Sequence, residues 1–377
     1  MTSPATQQKL PGVLSALAQA RAHLLGSLNP VPTRDVPLAQ ALGLVAGENP
    51  PLPAPLPVRA IAQRDGFAMR AEDLAGASAY APVLLHEPPV WVEAGQSLPE
   101  GCDCVIDAQG VDLEGPLAQA HQESFPGENI RRSGEDGAAG ARLLAAGRKI
   151  GPLDLLVVTQ AGFTHLAVRQ PHVVILDVPA QTGARATQDL LAGLLVQAGA
   201  RISLMHAVDR SAGAVAESLK ACSADLLISL GGTGCGHEDA SVQALARAGQ
   251  LMVHGLALEP GRTAALGRVN QTPCIACPGA PDQALAIWFA LIEPALARLA
   301  ARTPEPPRLL PLSRKIASRV GLAEGVLLVV ESDRFTPIAV GDWPLQSLAR
   351  ATHVSVIEAD SEGHASGDNL PAFALRP

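Results

Sequence analysis

The sequence predicts a multidomain α/β plus β chain. It has a central doubly wound α/β domain, a small β-rich unit before it and a second β unit at the C-terminal end. Three observations carry that prediction. Between Pro171 and about Ala301, continuous apolar strands alternate with amphipathic helices, the rhythm of a parallel sheet covered on both faces. Prolines cluster at Pro51, Pro53, Pro55 and Pro57 and again at Pro304, Pro306 and Pro307, and stiff extended segments of that kind separate domains. Outside the central stretch, short apolar runs are divided by Gly and Pro, which reads as strand. A chain of 377 residues fits two or three domains on length alone.

In chain order, Pro11–Gly26 is expected as a helix, with Pro in its first turn and Gly at its end. Pro37–Gly47 reads as a shorter second helix. From Val58 to about Gln122 the runs Pro82–Leu85, Val90–Val92 and Cys104–Ile106 predict the small β-rich unit. A polar loop follows, Gly127–Asp136, with four charges between Arg131 and Asp136. Apolar, helix-like sequence resumes at Ala138–Leu144 and Pro152–Gly162. In the central stretch, Val173–Val178, Arg201–His206, Leu226–Leu230, Leu251–Leu258 and Cys274–Cys277 read as strands. Gln188–Ala198, Ser211–Ala221, Asp239–Ala248 and Pro281–Ala301 read as helices. Val326–Glu331, Pro337–Val340, His353–Ile357 and Pro371–Leu375 read as strands of a small barrel or sandwich.

Composition excludes several function classes. Hydrophobic residues make up 47% and charged residues 17%, enough to build cores and too apolar for a disordered chain. No apolar run reaches the roughly eighteen residues of a membrane helix, and the polar start carries no signal-peptide pattern, so a cytoplasmic protein with no membrane partner is expected. The net charge of -8 argues against nucleic-acid binding, which needs a basic face, but leaves room for a small anion in a local basic pocket. Arginine supplies nearly all the positive charge. Its fork suits oxyanions, although the same excess also follows from a composition bias. Of six cysteines, Cys274 and Cys277 have metal or redox spacing and Cys102 and Cys104 form a second close pair. No histidine sits at zinc-finger spacing, and the apolar setting predicts reduced structural thiols.

The strongest chemical signal is Leu226–Leu230 running into Gly231-Gly232-Thr233-Gly234-Cys235-Gly236 and then a helix. Ligands of α/β domains bind at the carboxyl ends of such strands. Glycines let the backbone approach a phosphate, and the helix N-terminus points free N–H groups at it. Glu238 and Asp239 would cap that helix or hold a cation. The same residues also suit a plain tight turn. Glu259-Pro260-Gly261-Arg262-Thr263 follows the next strand and Cys277-Pro278-Gly279 the one after, so three consecutive strand ends are expected to floor one pocket.

These residues carry a family resemblance. Asp65-Gly66-Phe67-Ala68-Met69, Pro99-Glu100-Gly101-Cys102, Asn129-Ile130-Arg131 with Gly134-Glu135-Asp136, and the Gly231–Gly236 loop together resemble the molybdopterin molybdenumtransferases, the MoeA and gephyrin E-domain family. The resemblance runs from about Leu14 to Ile357. It implies a MoeA-like chain of four domains: a helical or mixed domain I from 1–50 and 137–170, a β-rich domain II from 51–136, a molybdopterin-binding α/β domain III from 171–303, and a β-barrel domain IV from 304–377. It implies a homodimer that inserts molybdate into adenylylated molybdopterin with release of AMP, using a divalent cation such as Mg2+. Molybdopterin adenylyltransferase and molybdoenzyme-maturation proteins are implied as partners. Carried over residue by residue, Asp65, Arg131 and Asp136 would reach across from one protomer. Gly231, Gly232, Thr233, Gly234, Asp239, Pro260, Gly261, Arg262, Pro278 and Gly279 would come from the other. Asp65, Asp136 and Asp239 would be catalytic and hold the metal. Arg131 and Arg262 would clamp oxyanions. On the residues alone, Arg131, Glu135 and Asp136 also read as an internal ion-pair loop, and Asp65 as a turn residue before Gly66.

The sequence departs from the family where the chemistry should be. The family's Lys-Pro-Gly-Lys-Pro is Glu259-Pro260-Gly261-Arg262-Thr263 here. Its Leu-Pro-Gly-Asn-Pro-Val-Ser is Cys277-Pro278-Gly279-Ala280-Pro281-Asp282-Gln283, the Ser of its glycine loop is Gly234, and its Thr-Gly-Ala-Pro is Ala94-Gly95-Gln96-Ser97. The family's Thr-Gly-Asp-Glu-Leu turn is replaced by a shorter segment, Pro179 to Gly183. An unpaired carboxylate facing a bound oxyanion costs on the order of a hundredfold in affinity. Three readings stay open: an insertase with a variant site, a catalytically degenerate relative that binds molybdopterin as carrier or scaffold, and an enzyme of the same fold acting on another phosphorylated ligand. The ion pairing of Glu259 separates the first two.

Overall fold

The structure is a computed structural model that describes residues 7–179 and 185–376. Contacts divide it into two units, a coarser division than four domains. One comprises Met1–Gly47, Ala146–Gly151 and His165–Pro377; the other comprises Glu48–Ala145 and Pro152–Thr164.

The first unit begins with helix α1 (Leu17–Gly26), six residues later than the expected start at Pro11. Ser15 is the reason: its N–H donates to Gly255 O at 3.1 Å and its carbonyl accepts from Ala257 N–H at 2.8 Å, so tertiary pairing holds this stretch extended. The central domain follows as β1 (His172–Asp177), α2 (Ala186–Gln197), β2 (Arg201–His206), α3 (Ala212–Ala221), β3 (Leu226–Leu230), α4 (Ser241–Ala248), β4 (Gln250–His254), β5 (Leu258–Glu259), β6 (Ala265–Val269) and β7 (Thr272–Cys277). Helices α5 (Pro281–Ile287) and α6 (Glu293–Leu299) close it, joined by a π turn at Trp288–Ile292.

The main sheet has the order β2-β1-β3-β7-β6-β4. Its first four strands are parallel and β6 and β4 are antiparallel additions. Alternate residues of the inner parallel strands β1, β3 and β7 enter different cores. Val173, Ile175 and Ile228 pack with Leu191, Leu195 and α1 on one face. Val174, Leu176 and Leu227 pack with Val215, Leu219, Val242 and Leu245 on the other. Apolar on both faces, these strands read as continuous apolar runs. The expected single strand Leu251–Leu258 is two strands. Gly255 turns the chain with φ 79°, and β5 leaves the central sheet to pair, in parallel, with Ala323–Glu331.

The C-terminal strands are β8 (Arg308–Pro311), β9 (Ala323–Glu331), β10 (Arg334–Val340), β11 (His353–Ile357) and β12 (Asn369–Ala374). They form the order β5-β9-β11-β12-β8, with β10 also on β9. An isolated bridge joins Leu312 to Phe335. Phe335, Leu328, Ile357 and Leu370 fill this core. The expected helix Pro37–Gly47 is not one. Arg34–Pro37 pairs with His165–Arg169 and buries Val36, only one 3-10 turn follows at Leu38–Gln40, and Val45–Ala46 returns as strand.

In the second unit, Gly66–Met69 is the middle strand between Val90–Val92 and Cys104–Ile106. A Cβ on Gly66 would lie 2.2 Å from Ile106 O, so only glycine follows Asp65. Phe67 meets Trp91 edge to face at 5.2 Å. The second short sheet contains Val83–Leu84, Gln119–Ala120 and Val111–Asp112. Pro152–Gln160 is helical as expected. The expected helix at Ala138–Leu144 is a run of turns, because its backbone is already engaged: Ala141 O accepts from Leu52 N and Gly137 O from Leu56 N. Among the described residues, no helix is long and apolar enough to cross a membrane.

Candidate functional site

At the carboxyl end of β3 the backbone turns left-handed, with φ 93° at Gly231 and 66° at Gly232. A Cβ at Gly232 would meet Ser241 Oγ at 2.5 Å. Ser241 Oγ instead donates to Gly231 O at 2.7 Å and Ser241 N to Gly232 O at 3.0 Å. The neighbouring turn closes on this one. Gly231 N donates to Cys277 O at 2.9 Å, and a Cβ on Gly279 would touch Gly231 Cα at 3.4 Å. Thr187 Oγ1, at the start of α2, donates to Gly279 O at 2.8 Å. Two adjacent parallel strands thus end in glycine-bearing turns that approach each other through backbone, at the sheet edge where α/β domains bind ligands.

The third expected turn is placed differently. Glu259 and Pro260 do not end a strand of the central sheet; they leave β5, in the C-terminal sheet. The loop still reaches the glycine turn, because Thr263 Oγ1 and Thr233 Oγ1 share a hydrogen bond of 3.0 Å. Thr233, Pro260, Gly261 and Pro278 are buried, whereas Arg262 and Gly279 are exposed. Glu259 is not an unpaired anion. Its carboxylate lies 2.6 Å from Arg262, with side chains 17% and 55% exposed.

Asp239 neither caps α4 nor stands free. Gly236 N donates to its Oδ2 at 2.9 Å and Arg210 to its Oδ1 at 2.9 Å. Arg210 also donates to Pro179 O at 2.7 Å. The carboxylate therefore fixes the loop and is neutralised. The helix starts two residues later than expected, with Ala240 as an N-cap that makes no side-chain bond. The acceptor missing there is Gln8 Oε1, which takes the Val242 N–H at 3.0 Å. Sequence reasoning missed Gln8, Thr187, Arg210, Ser241 and Thr263. Ser241 follows the glycine loop closely and Thr263 closes the Glu259–Thr263 turn, so both carry a local signal as turn anchors. Gln8, Thr187 and Arg210 arrive from distant segments with no local pattern. The replaced turn Ala180–Gly183 lies outside the described residues.

In the second unit, Ile61–Ala62 pairs with Ile130–Arg131. Arg131 binds Asp136 at 2.9 Å, with side chains 43% and 38% exposed, and Arg132 N donates to Glu135 at 2.8 Å. The ion-pair loop is thus present as such. Asp65 Oδ1 accepts from Ala94 N at 2.8 Å, anchoring the turn that ends in Gln96. Asp65, Arg131 and Asp136 belong to this unit; the glycine turns and Asp239 belong to the first. Among the described residues, no group of three or more His, Cys, Asp or Glu is arranged to hold a metal.

Cys274 and Cys277 do not face each other. Cys274 packs in the core on one side of the sheet and Cys277 in the core on the other, as an odd spacing along a strand requires. Burial pushes the Cys274 thiol up to about 12 and raises Cys277 as well. Neither is a thiolate near neutral pH, so the pair is structural, as the apolar setting predicts.

Comparison with known proteins agrees with this layout. Residues 15–162 match the MoeA N-terminal region, domains I and II. Residues 181–298 match a probable molybdopterin binding domain. Over 387 aligned residues, a molybdopterin molybdenumtransferase 2 of Mycobacterium tuberculosis is 31% identical, covering 90% of this chain and 94% of that protein. A molybdopterin molybdenumtransferase of Haemophilus influenzae is 27% identical over 86% of this chain and 89% of its own length. The crystal structure of a molybdopterin biosynthesis MoeA protein from Pyrococcus horikoshii superposes with a TM-score of 0.75 at 22% identity, covering 97% of this chain and 100% of that one. With the glycine turns, the Asp65-Gly66 strand start and the Arg131–Asp136 loop all in place, the chain belongs to the molybdopterin molybdenumtransferase family.

Proposed function

We propose that this protein works in molybdenum cofactor biosynthesis as a molybdopterin molybdenumtransferase. It takes adenylylated molybdopterin and molybdate and releases AMP. The observation that carries this reading is the pair of turns at Gly231-Gly232 and Pro278-Gly279, closed on each other through glycine backbone at the ends of β3 and β7. Backbone that can be approached closely suits a phosphorylated, planar ligand. The pairing of Glu259 with Arg262 removes the bare anion that argued for a binding-only relative, and the relatives' names favour a transferase.

In this reading Gly231, Gly232, Thr233, Gly234 and the turns at Pro260-Gly261-Arg262 and Pro278-Gly279 form the pterin side of the site. Asp65, Arg131 and Asp136 come from a second copy in a homodimer, and the C-terminal sheet is a partly closed barrel. Magnesium fits Asp65 and Asp136 best. Each uses one carboxylate oxygen within the chain, leaving the hard oxygen donor that this ion takes. Asp239 joins them only by giving up Arg210 or the Gly236 amide. When bound, the cation would offset charge on the phosphoanhydride. The setting is cytoplasmic, with molybdopterin adenylyltransferase and molybdoenzyme-maturation proteins as partners.

The test is direct. Purified chain, magnesium, molybdate and adenylylated molybdopterin should yield AMP and a cofactor that activates an apo-molybdoenzyme. Pterin binding without AMP release would make the protein a carrier. Absence of both would end the reading.

A further inference from the structure

We propose that the segment from Gln7 to Ser15 is a strap that presets the glycine loop for its ligand, with Gln8 as a positioning residue for the pterin; this rests on the pocket assignment above. Gln8 is only 3% exposed, deep burial for a glutamine. Both ends of its amide are used. Oε1 accepts from Val242 N at 3.0 Å, and Nε2 donates to Gly234 O at 2.7 Å and to Gly232 O at 3.4 Å. Gln7 Nε2 donates to Cys235 O at 2.7 Å. One side chain therefore supplies the acceptor that the α4 N-terminus lacks locally and holds two carbonyls of the loop.

The same segment holds the other loop. Leu10 and Leu14 close over Gly255, where a Cβ would lie 3.2 and 2.8 Å from their Cδ2 atoms. Ser15 exchanges backbone hydrogen bonds with Gly255 and Ala257, at the root of the excursion that carries Glu259, Arg262 and Thr263. The strap thus anchors the two loops that the Thr233–Thr263 hydroxyl pair joins.

The consequence for binding is physical. A loop with glycine at 231, 232, 234 and 236 has large backbone freedom, and ordering it on binding weakens affinity. Peptide bonds are planar and trans. Holding Gly232 O and Gly234 O on the strap side therefore turns the N–H groups of Thr233 and Cys235 the opposite way, as donors for an anion. A glutamine does this because it donates and accepts at once.

The experiment uses the full chain with Gln8→Ala and Gln8→Glu. Gln8→Glu keeps an acceptor for Val242 and places a favourable charge at a helix start, but it loses the donor to the loop carbonyls. Both variants should raise KM for adenylylated molybdopterin about five- to tenfold with kcat within about twofold. Both should speed hydrogen exchange at residues 231–236 by about tenfold. If Gln8→Glu matches the parent in KM and exchange, Gln8 is only a helix cap and the strap is overturned. If the parent itself neither binds nor turns over the pterin, the functional reading falls instead. The exchange data then decide the strap alone: unchanged exchange in both variants rejects it, faster exchange in both upholds it.

Discussion

Glu259 and Arg262 neutralise each other across 2.6 Å, and that single contact reshapes the electrostatics expected of the pocket. The cation at 262 is committed to its own loop until something competes for it. Glu259→Gln releases Arg262, and molybdate binding by calorimetry should tighten about tenfold; Glu259→Lys should act in the same direction. No change or a loss would place Glu259 on a cation or outside the pocket. Asp65 and Asp136 allow a cleaner separation of stability from activity. The Arg131–Asp136 pair is near 40% exposed on both sides, and ion pairs of that kind contribute about 0–1 kcal/mol. Asp136→Ala and Asp65→Ala should therefore shift the thermal midpoint by only a few degrees while abolishing AMP release. AMP release at the parental rate in either variant would remove that residue from the site.

At the scale of the element, β7 explains its cysteines. Cys274 and Cys277 point into opposite cores, so native-state alkylation should leave both untouched. The exposed Cys235 should be the first thiol modified, as read by peptide mass mapping. Burial raises the Cys274 thiol from 9.0 to about 12. The unfolded chain therefore loses this proton above about pH 9 while the folded chain keeps it, and stability present below that pH falls as pH rises toward 12. Replacing both cysteines by alanine should flatten this alkaline decline in denaturant unfolding; an unchanged slope would assign it to other groups. The elements also show what the sequence made legible. Parallel strands such as Leu226–Leu230 stood out because both faces are buried. Strand β6 did not, since Gly267 and Arg268 break its apolar run, and Gly267 is required where a Cβ would meet Gln250 O at 2.4 Å. Pro37–Gly47 carried helix-like spacing, but pairing of Val36 with Leu166 overrode it. The glycine turns of the site were legible as motifs. The side chains that fix them were not, because Gln8 and Arg210 converge on the loop only after folding.

For the whole molecule, the proposed sharing of a site between two copies predicts complementation. Asp65→Ala removes a residue donated across the dimer and Asp239→Ala unties the glycine loop that receives it; these chains, each inactive alone, should regain about a quarter of parental activity after unfolding and refolding together, because half of randomly paired dimers carry one intact site. No recovery, with mixed dimers shown to form, would mean that each chain builds its own site.

The two-residue strand β5 has an outcome at this same scale. Leu258 and Glu259 pair with Ala323 and Glu324, and Ala323 N donates to Ala257 O at 2.9 Å. Strand β5 is thus a stitch between the central domain and the C-terminal sheet. Trimming away residues 304–377 would take the partner strand with it and unravel the hem on which Arg262 sits.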